Sequence, residues 1–296
     1  MRDDAADFEV TADSAEEVLG REFPWYQRVA DKWTYFAVCP RCDNPVKLVA
    51  LYSAIQTAHG RHENKPVRGF DHFDLEDMTW CATKLPRTPD KQQRRGLTPL
   101  SKAIIRVMVE DFDRAVLVLS DALGFRISKD LATDFLAAWF DAEGYCYVGA
   151  NLTNIPWMLA YFSPTRSLVG RYIHGNADLV ERILDRVPGA TLSADGRLGY
   201  AEKTFISVTF EFIRHEVVRG EDGAVAEAMT MRVKRGSERE GVREMVPLLR
   251  QVIAFDEARF STLRSVPEDR AHRNNTLLSI AKKMADQRLG EGWRDE

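Results

Sequence analysis

"FAVCPRCDNPVKL", residues 36–48, decides how the first third of the chain is built. Phe36 to Val38 reads as a strand, Cys39-Pro40-Arg41-Cys42 as a turn, and Val46-Lys47-Leu48-Val49 as a second strand. A thioredoxin-like redox pair needs its second cysteine to enter a helix, whose N-terminus lowers the thiol pKa. Here Cys42 runs into Asp43-Asn44-Pro45, which is turn chemistry, and then into a strand. The pair therefore reads as one half of a metal knuckle, and two more ligands have to come from nearby.

Zinc takes four thiolate or imidazole ligands in a tetrahedron. His59, His62, His72 and Cys81 lie within reach of the knuckle, and the best set is Cys39, Cys42, His62 and Cys81. That choice leaves 19 residues between the second and third ligands and 18 between the third and fourth, with His59 and His72 as substitutes for His62. The stretch is too short and polar to hold itself together on apolar burial, so the expected role of the zinc is structural. Four protein ligands also leave no open position for a water.

Bulk composition places the 296-residue chain among ordinary globular proteins, with 45% hydrophobic and 29% charged residues. Its beginning, MRDDAADFEVTADS, has acids where a signal peptide would carry positive charge and an apolar stretch, and apolar runs such as Ala115–Leu119 are too short to span a bilayer. The expectation is a cytoplasmic protein with reduced thiols and no membrane partner. The net charge of -4 hides an asymmetry: residues 1–20 hold seven acids against Arg2, while residues 84–106 hold seven cations against Asp90. Lys84, Arg87, Lys91, Arg94 and Arg95 are the candidate phosphate contacts of this basic segment. The bland reading of the same residues is a solvated linker.

Punctuation divides the rest. "KLPRTPDKQQRRGLTP" carries three prolines and a glycine among charges and reads as a linker. The expected organisation is an acidic arm over residues 1–29, a zinc module over 30–85, a basic linker over 86–97 and an α+β domain over 98–296. In the arm, the Ser14-Ala15-Glu16-Glu17 spacing predicts a capping box and a short helix ending at Gly20. Thr98-Pro99 predicts a helix start, and apolar positions from Leu100 to Leu123 continue at helical spacing until Gly124. Further helices are expected from Ser128 to Asp141, from Ala177 to Val187, and near 256–263 and 269–289. Tyr145 to Leu152 and Trp157 to Phe162 read as strands, and Thr204–Ile213 and Ala228–Lys234 as an antiparallel pair around the turn at Gly220–Gly223. Glu211 and His215 share parity on the first strand of that pair, and His215 beside Glu216 is a weak acid/base candidate.

The knuckle, the following "NPVKL", Gly60-Arg61-His62 and the lone Cys81 resemble a pattern of uncharacterised bacterial zinc-knuckle proteins, a likeness that extends to "NIPWMLAYFS" and "FEFIRHEV". This resemblance implies zinc held by Cys39, Cys42, His62 and Cys81 and brings no activity with it. A second, local likeness carries chemistry. Leu136-Ala137-Ala138-Trp139-Phe140-Asp141-Ala142-Glu143-Gly144 resembles the LAGLIDADG motif of homing endonucleases. It implies a homodimer in which Glu143, with Asp141, binds magnesium for phosphodiester cleavage, followed by a strand pair, a helix and another strand pair. The leading expectation is nevertheless a zinc-binding scaffold that meets a protein or a nucleic acid, and the endonuclease is the alternative.

Overall fold

The computed structural model describes residues 8–84, 88–201, 206–220, 224–239, 242–290 and 293. Helix α1 (Ala12–Leu19) starts ahead of the expected capping box, because the Thr11 hydroxyl is the cap and accepts from Ser14 N at 3.1 Å. Strands β1 (Tyr26–Val29), β2 (Lys32–Val38), β3 (Pro45–Val49) and β4 (His59–His62) then form one antiparallel sheet in sequence order. Asp43 takes the left-handed backbone that the tight turn between β2 and β3 demands, at φ 63°. A short helix, α2 (Leu75–Thr79), is capped by Asp74 and closes the module.

Local signals place most of the helices that follow. α3 (Pro99–Glu110) is capped by Thr98 with Pro99 in its first turn. The single run expected up to Leu123 is broken at Asp111, where φ -116° and ψ 23° leave the helical region, and α4 (Phe112–Leu123) begins anew. Asp111 is held at this break by Arg114 at 2.7 Å and Arg264 at 2.9 Å. α5 (Lys129–Asp141) starts at its Ser128 cap.

The two strands expected next are corrected. Gly144–Cys146 is a 3-10 turn, and Ile155–Tyr161 is a helix, α6. All seven α6 residues are buried, so the segment has no polar face to betray its period and looks like a core strand. After β5 (Arg166–Ser167) come α7 (Ala177–Arg186), capped by Asn176, and the small hairpin of β6 (Ala190–Leu192) and β7 (Leu198–Tyr200). The main sheet follows from β8 (Val208–Arg219), β9 (Val225–Arg239) and β10 (Val242–Ala254), in the order β10-β9-β8-β5 with every pair antiparallel. α8 (Glu257–Arg264) and α9 (Asn275–Leu289) end the fold.

The architecture is α+β, a Cys/His-bearing sheet ahead of a larger sheet domain. Its buried core runs from Tyr35, Val46, Leu48 and Cys81 in the first part without a break to Phe112, Phe135, Trp157 and Phe210 in the second. The segment expected as a linker is packed where it is described. Arg95 N donates to Cys146 O at 2.8 Å, Val148 N donates to Gln93 O at 3.3 Å, and Arg94 bridges to Tyr147. Among the described residues no helix is long and apolar enough to cross a membrane.

Candidate metal centre

Strand pairing assembles the ligands. β2 ends one residue before Cys39, the turn returns Cys42 toward β3, and β4 brings His62 opposite Val46. Cys39 N donates to Asn44 O at 2.9 Å and Asp43 N to Cys39 O at 3.0 Å, which fixes the knuckle. Asn44 braces it from within: its Nδ2 donates to Cys42 O at 3.2 Å and approaches Cys42 Sγ at 3.7 Å, while its Oδ1 accepts from Asp74 N at 2.8 Å. α2 thereby delivers Cys81 to the same point.

The ligand atoms of Cys39, Cys42, His62 and Cys81 all lie within 4.8 Å of one another. Cys39 Sγ and Cys81 Sγ are 3.7 Å apart, and Cys42 Sγ is 3.2 Å from His62 Nε2. Zn–S bonds of about 2.3 Å at a tetrahedral angle separate two thiolates by about 3.8 Å, so the donor set and its spacing fit zinc. Thr83 Oγ1 lies 3.0 Å from Cys81 Sγ and offers that sulfur a hydroxyl. Of the alternates, His59 is exposed with Nδ1 2.9 Å from Thr57 O, and neither it nor His72 belongs to the group.

The protons of the metal-free cluster are unevenly shared. Hydrogen bonds from Cys42 and Cys81 hold the Cys39 thiol well below the usual range, while those same contacts with Cys39 and Cys81 push Cys42 up. Burial works against the charged form of His62, yet its bonds to Cys39 and Cys81 win and push it up to about 10. A metal ion would displace these protons and take their place as the shared positive charge.

A second constellation lies behind the knuckle. His215 was expected to work with Glu211 or Glu216, but a bulge at Arg214, φ 56°, reverses the strand's parity between Phe212 and Val217. His215 turns inward and its Nε2 meets Glu227 Oε2 at 2.8 Å, while Glu211 instead pairs with Arg232 and Lys234. Glu227 also accepts from Asn151 at 2.9 Å, from Asn154 at 2.8 Å and from Arg41 of the knuckle. The other ring nitrogen, His215 Nδ1, lies 3.2 Å from the Tyr147 hydroxyl. His215, Glu227, Asn154 and Tyr147 are between 0% and 2% exposed, so these groups make their contacts inside the protein, among them with one another and with Asn151 and Arg41. The signal for this site was the change of apolar parity between Phe212 and Val217.

The basic segment turns inward. Arg95 is buried, donates to Ala150 O at 2.6 Å and faces Asp77 at 3.6 Å, which corrects its assignment as a phosphate contact. Arg94 donates to Ala142 O at 2.7 Å and to Lys91 O at 2.7 Å, and Lys91 sits 4.5 Å above the Tyr161 ring. Burial lowers the Lys91 pKa. Lys84 is exposed, and Arg87 lies outside the described residues. The residues of the alternative reading flank Ala142, whose carbonyl accepts from Arg94. Asp141 pairs with Arg288, and Glu143 is exposed at the left-handed end of α5, φ 49°. α5 spends Leu131, Phe135, Leu136 and Trp139 on the core, with α6 and α9 against it. The expected strand pair after it is the turn and α6 already described.

Comparison of this chain with protein-family models, with curated proteins and with solved structures finds no match.

Proposed function

We propose that this chain is a zinc-binding scaffold protein in which Cys39, Cys42, His62 and Cys81 hold one structural zinc and the module around it meets a macromolecular partner. The observation that carries this reading is the convergence of three sulfurs and an imidazole nitrogen within 4.8 Å, from three separate segments of the chain. Four protein ligands close the tetrahedron, so the ion shapes the fold and has no position left to activate water. Exposed large apolar side chains on the same part of the chain support the binding role: Phe23, Trp33, Tyr52 and Ile55 are between 56% and 95% exposed. Trp33 is also stacked on Tyr26, with ring centroids 4.9 Å apart.

Elemental analysis of protein purified without added metal tests the centre. About one zinc per chain is expected, falling to none in Cys42→Ser, whereas a folded wild-type chain that neither carries nor takes up zinc overturns the reading. Titration at low salt against duplex DNA, single-stranded DNA and RNA then sorts the partner. Nucleic-acid binding would show the steep salt dependence of phosphate contacts, and its absence leaves a protein partner.

A further inference from the structure

The knuckle contains a residue that neither ligates metal nor faces water. Arg41 stands between Cys39 and Cys42 and is 7% exposed. Its carbonyl accepts from Leu152 N at 3.3 Å, and its guanidinium passes out of the module into the larger domain. There it pairs with Glu227 of β9 and with Glu257 of α8 at 2.9 Å, and donates to Val225 O at 3.4 Å. Asn151, Asn154 and His215 bring dipoles or a titratable ring to Glu227, while Arg41 brings a permanent positive charge. A buried carboxylate that loses such a cation must take up a proton or admit water.

The position of Arg41 depends on its neighbours. Its turn is held by the Cys39 N–Asn44 O and Asp43 N–Cys39 O bonds and by burial of Cys39 and Cys42, and those same two cysteines are the residues that a metal would hold. We propose that metal occupancy of the Cys39–Cys42 turn latches the larger sheet through Arg41, so that zinc bound in the module keeps β8 and β9 closed around Glu227 and zinc removal opens them. This inference rests on the zinc reading given above. It makes the protein a zinc-gated switch: the ligands sit in one part of the fold, and the response appears in the later strands β8 and β9, Arg41 and Glu227 being 186 positions apart.

Hydrogen exchange on the full-length protein, read by mass spectrometry, tests the latch. Peptides covering 213–217 and 226–231 are compared in untreated protein, after removal of metal with a strong chelator, in Arg41→Met, and in Arg41→Met/Glu227→Gln. Chelation is expected to speed exchange in these peptides by on the order of a hundredfold or more, as when one partner of a buried ion pair is lost. Arg41→Met should do the same while still carrying one zinc per chain, which separates the latch from general unfolding of the module. The double variant has no buried carboxylate to strand, so its sheet should be slow to exchange and insensitive to the chelator. Chelation that loosens residues 36–48 but leaves 226–231 as slow as before overturns the latch while leaving the zinc centre intact. A sheet in Arg41→Met that exchanges as in the wild type also overturns it. A chain that takes up no zinc overturns both readings, and elemental analysis reveals that before any exchange is measured.

Discussion

Glu227 is held below its ordinary pKa of 4.5 although burial works to raise it, because the hydrogen bond with His215 and the charge of Arg41 outweigh desolvation. A carboxylate depressed in the folded state stabilises the protein fully above its unfolded pKa, and that contribution is lost as pH falls from about 4.5 through the lower folded value. Glu257 shifts the opposite way, since burial raises it, so it does not share in this acid loss. Thermal stability measured from pH 6 downward should therefore drop more steeply in the wild type than in Glu227→Gln; parallel curves would count against Glu227 as the source. Asn154→Ala removes a donor to Glu227 and another to Gly149 O, both at 2.8 Å, and should cost about 1–3 kcal/mol in chemical denaturation. Gly149 itself has no room to grow, since a Cβ there would meet the Tyr147 ring at 2.6 Å and His215 Nδ1 at 2.8 Å. The four members of the Cys/His cluster were legible in the sequence because thiols and imidazoles at knuckle spacing have few other uses in a polar stretch. Glu227 was not legible: its side-chain partners come from three separate segments, and an isolated glutamate on a strand reads as a surface residue.

Arg214 shows how one backbone choice sets a strand. Its left-handed conformation inserts the bulge that turns His215 and Val217 inward after Phe212, so the strand lines the core with both parities. Glycine tolerates that conformation and a β-branched residue does not. Arg214→Val should thus be less stable than Arg214→Gly by about 1–2 kcal/mol, measured as a difference in denaturation midpoints at constant m-value. Equal stability would mean that the bulge is not needed. Cap chemistry explains which elements the sequence revealed: Thr98-Pro99, Ser128 and Asn176 each start a helix where the local pattern puts it. α6 was hidden because it is buried all round. β10 was hidden because Pro247 interrupts it, a residue tolerated there since β10 is the edge of its sheet and its register shifts next to that proline.

Arg41 and Asp77 are among the residues that tie the module to the remainder of the molecule. Arg41 reaches Glu227, and Asp77 of α2 meets Arg95 at 3.6 Å and accepts from Thr98 Oγ1 at 2.8 Å. The core beneath them is continuous across the change of architecture near residue 98. A fragment beginning at residue 98 should lack a cooperative unfolding transition, because it leaves Glu227 and Arg-facing surfaces exposed and removes part of the core. A sharp two-state melt of that fragment would show that the module is dispensable. The architecture also imposes an order on synthesis. All four cysteine and histidine residues of the cluster are synthesised before any strand of the main sheet, so a nascent chain that binds metal there would do so while that sheet does not yet exist. Arg41 then waits through the addition of nearly two-thirds of the polypeptide before Glu227 emerges, 186 positions later. On the proposed latch, ribosome-bound chains stalled before β9 emerges would be metal-loaded but unlatched.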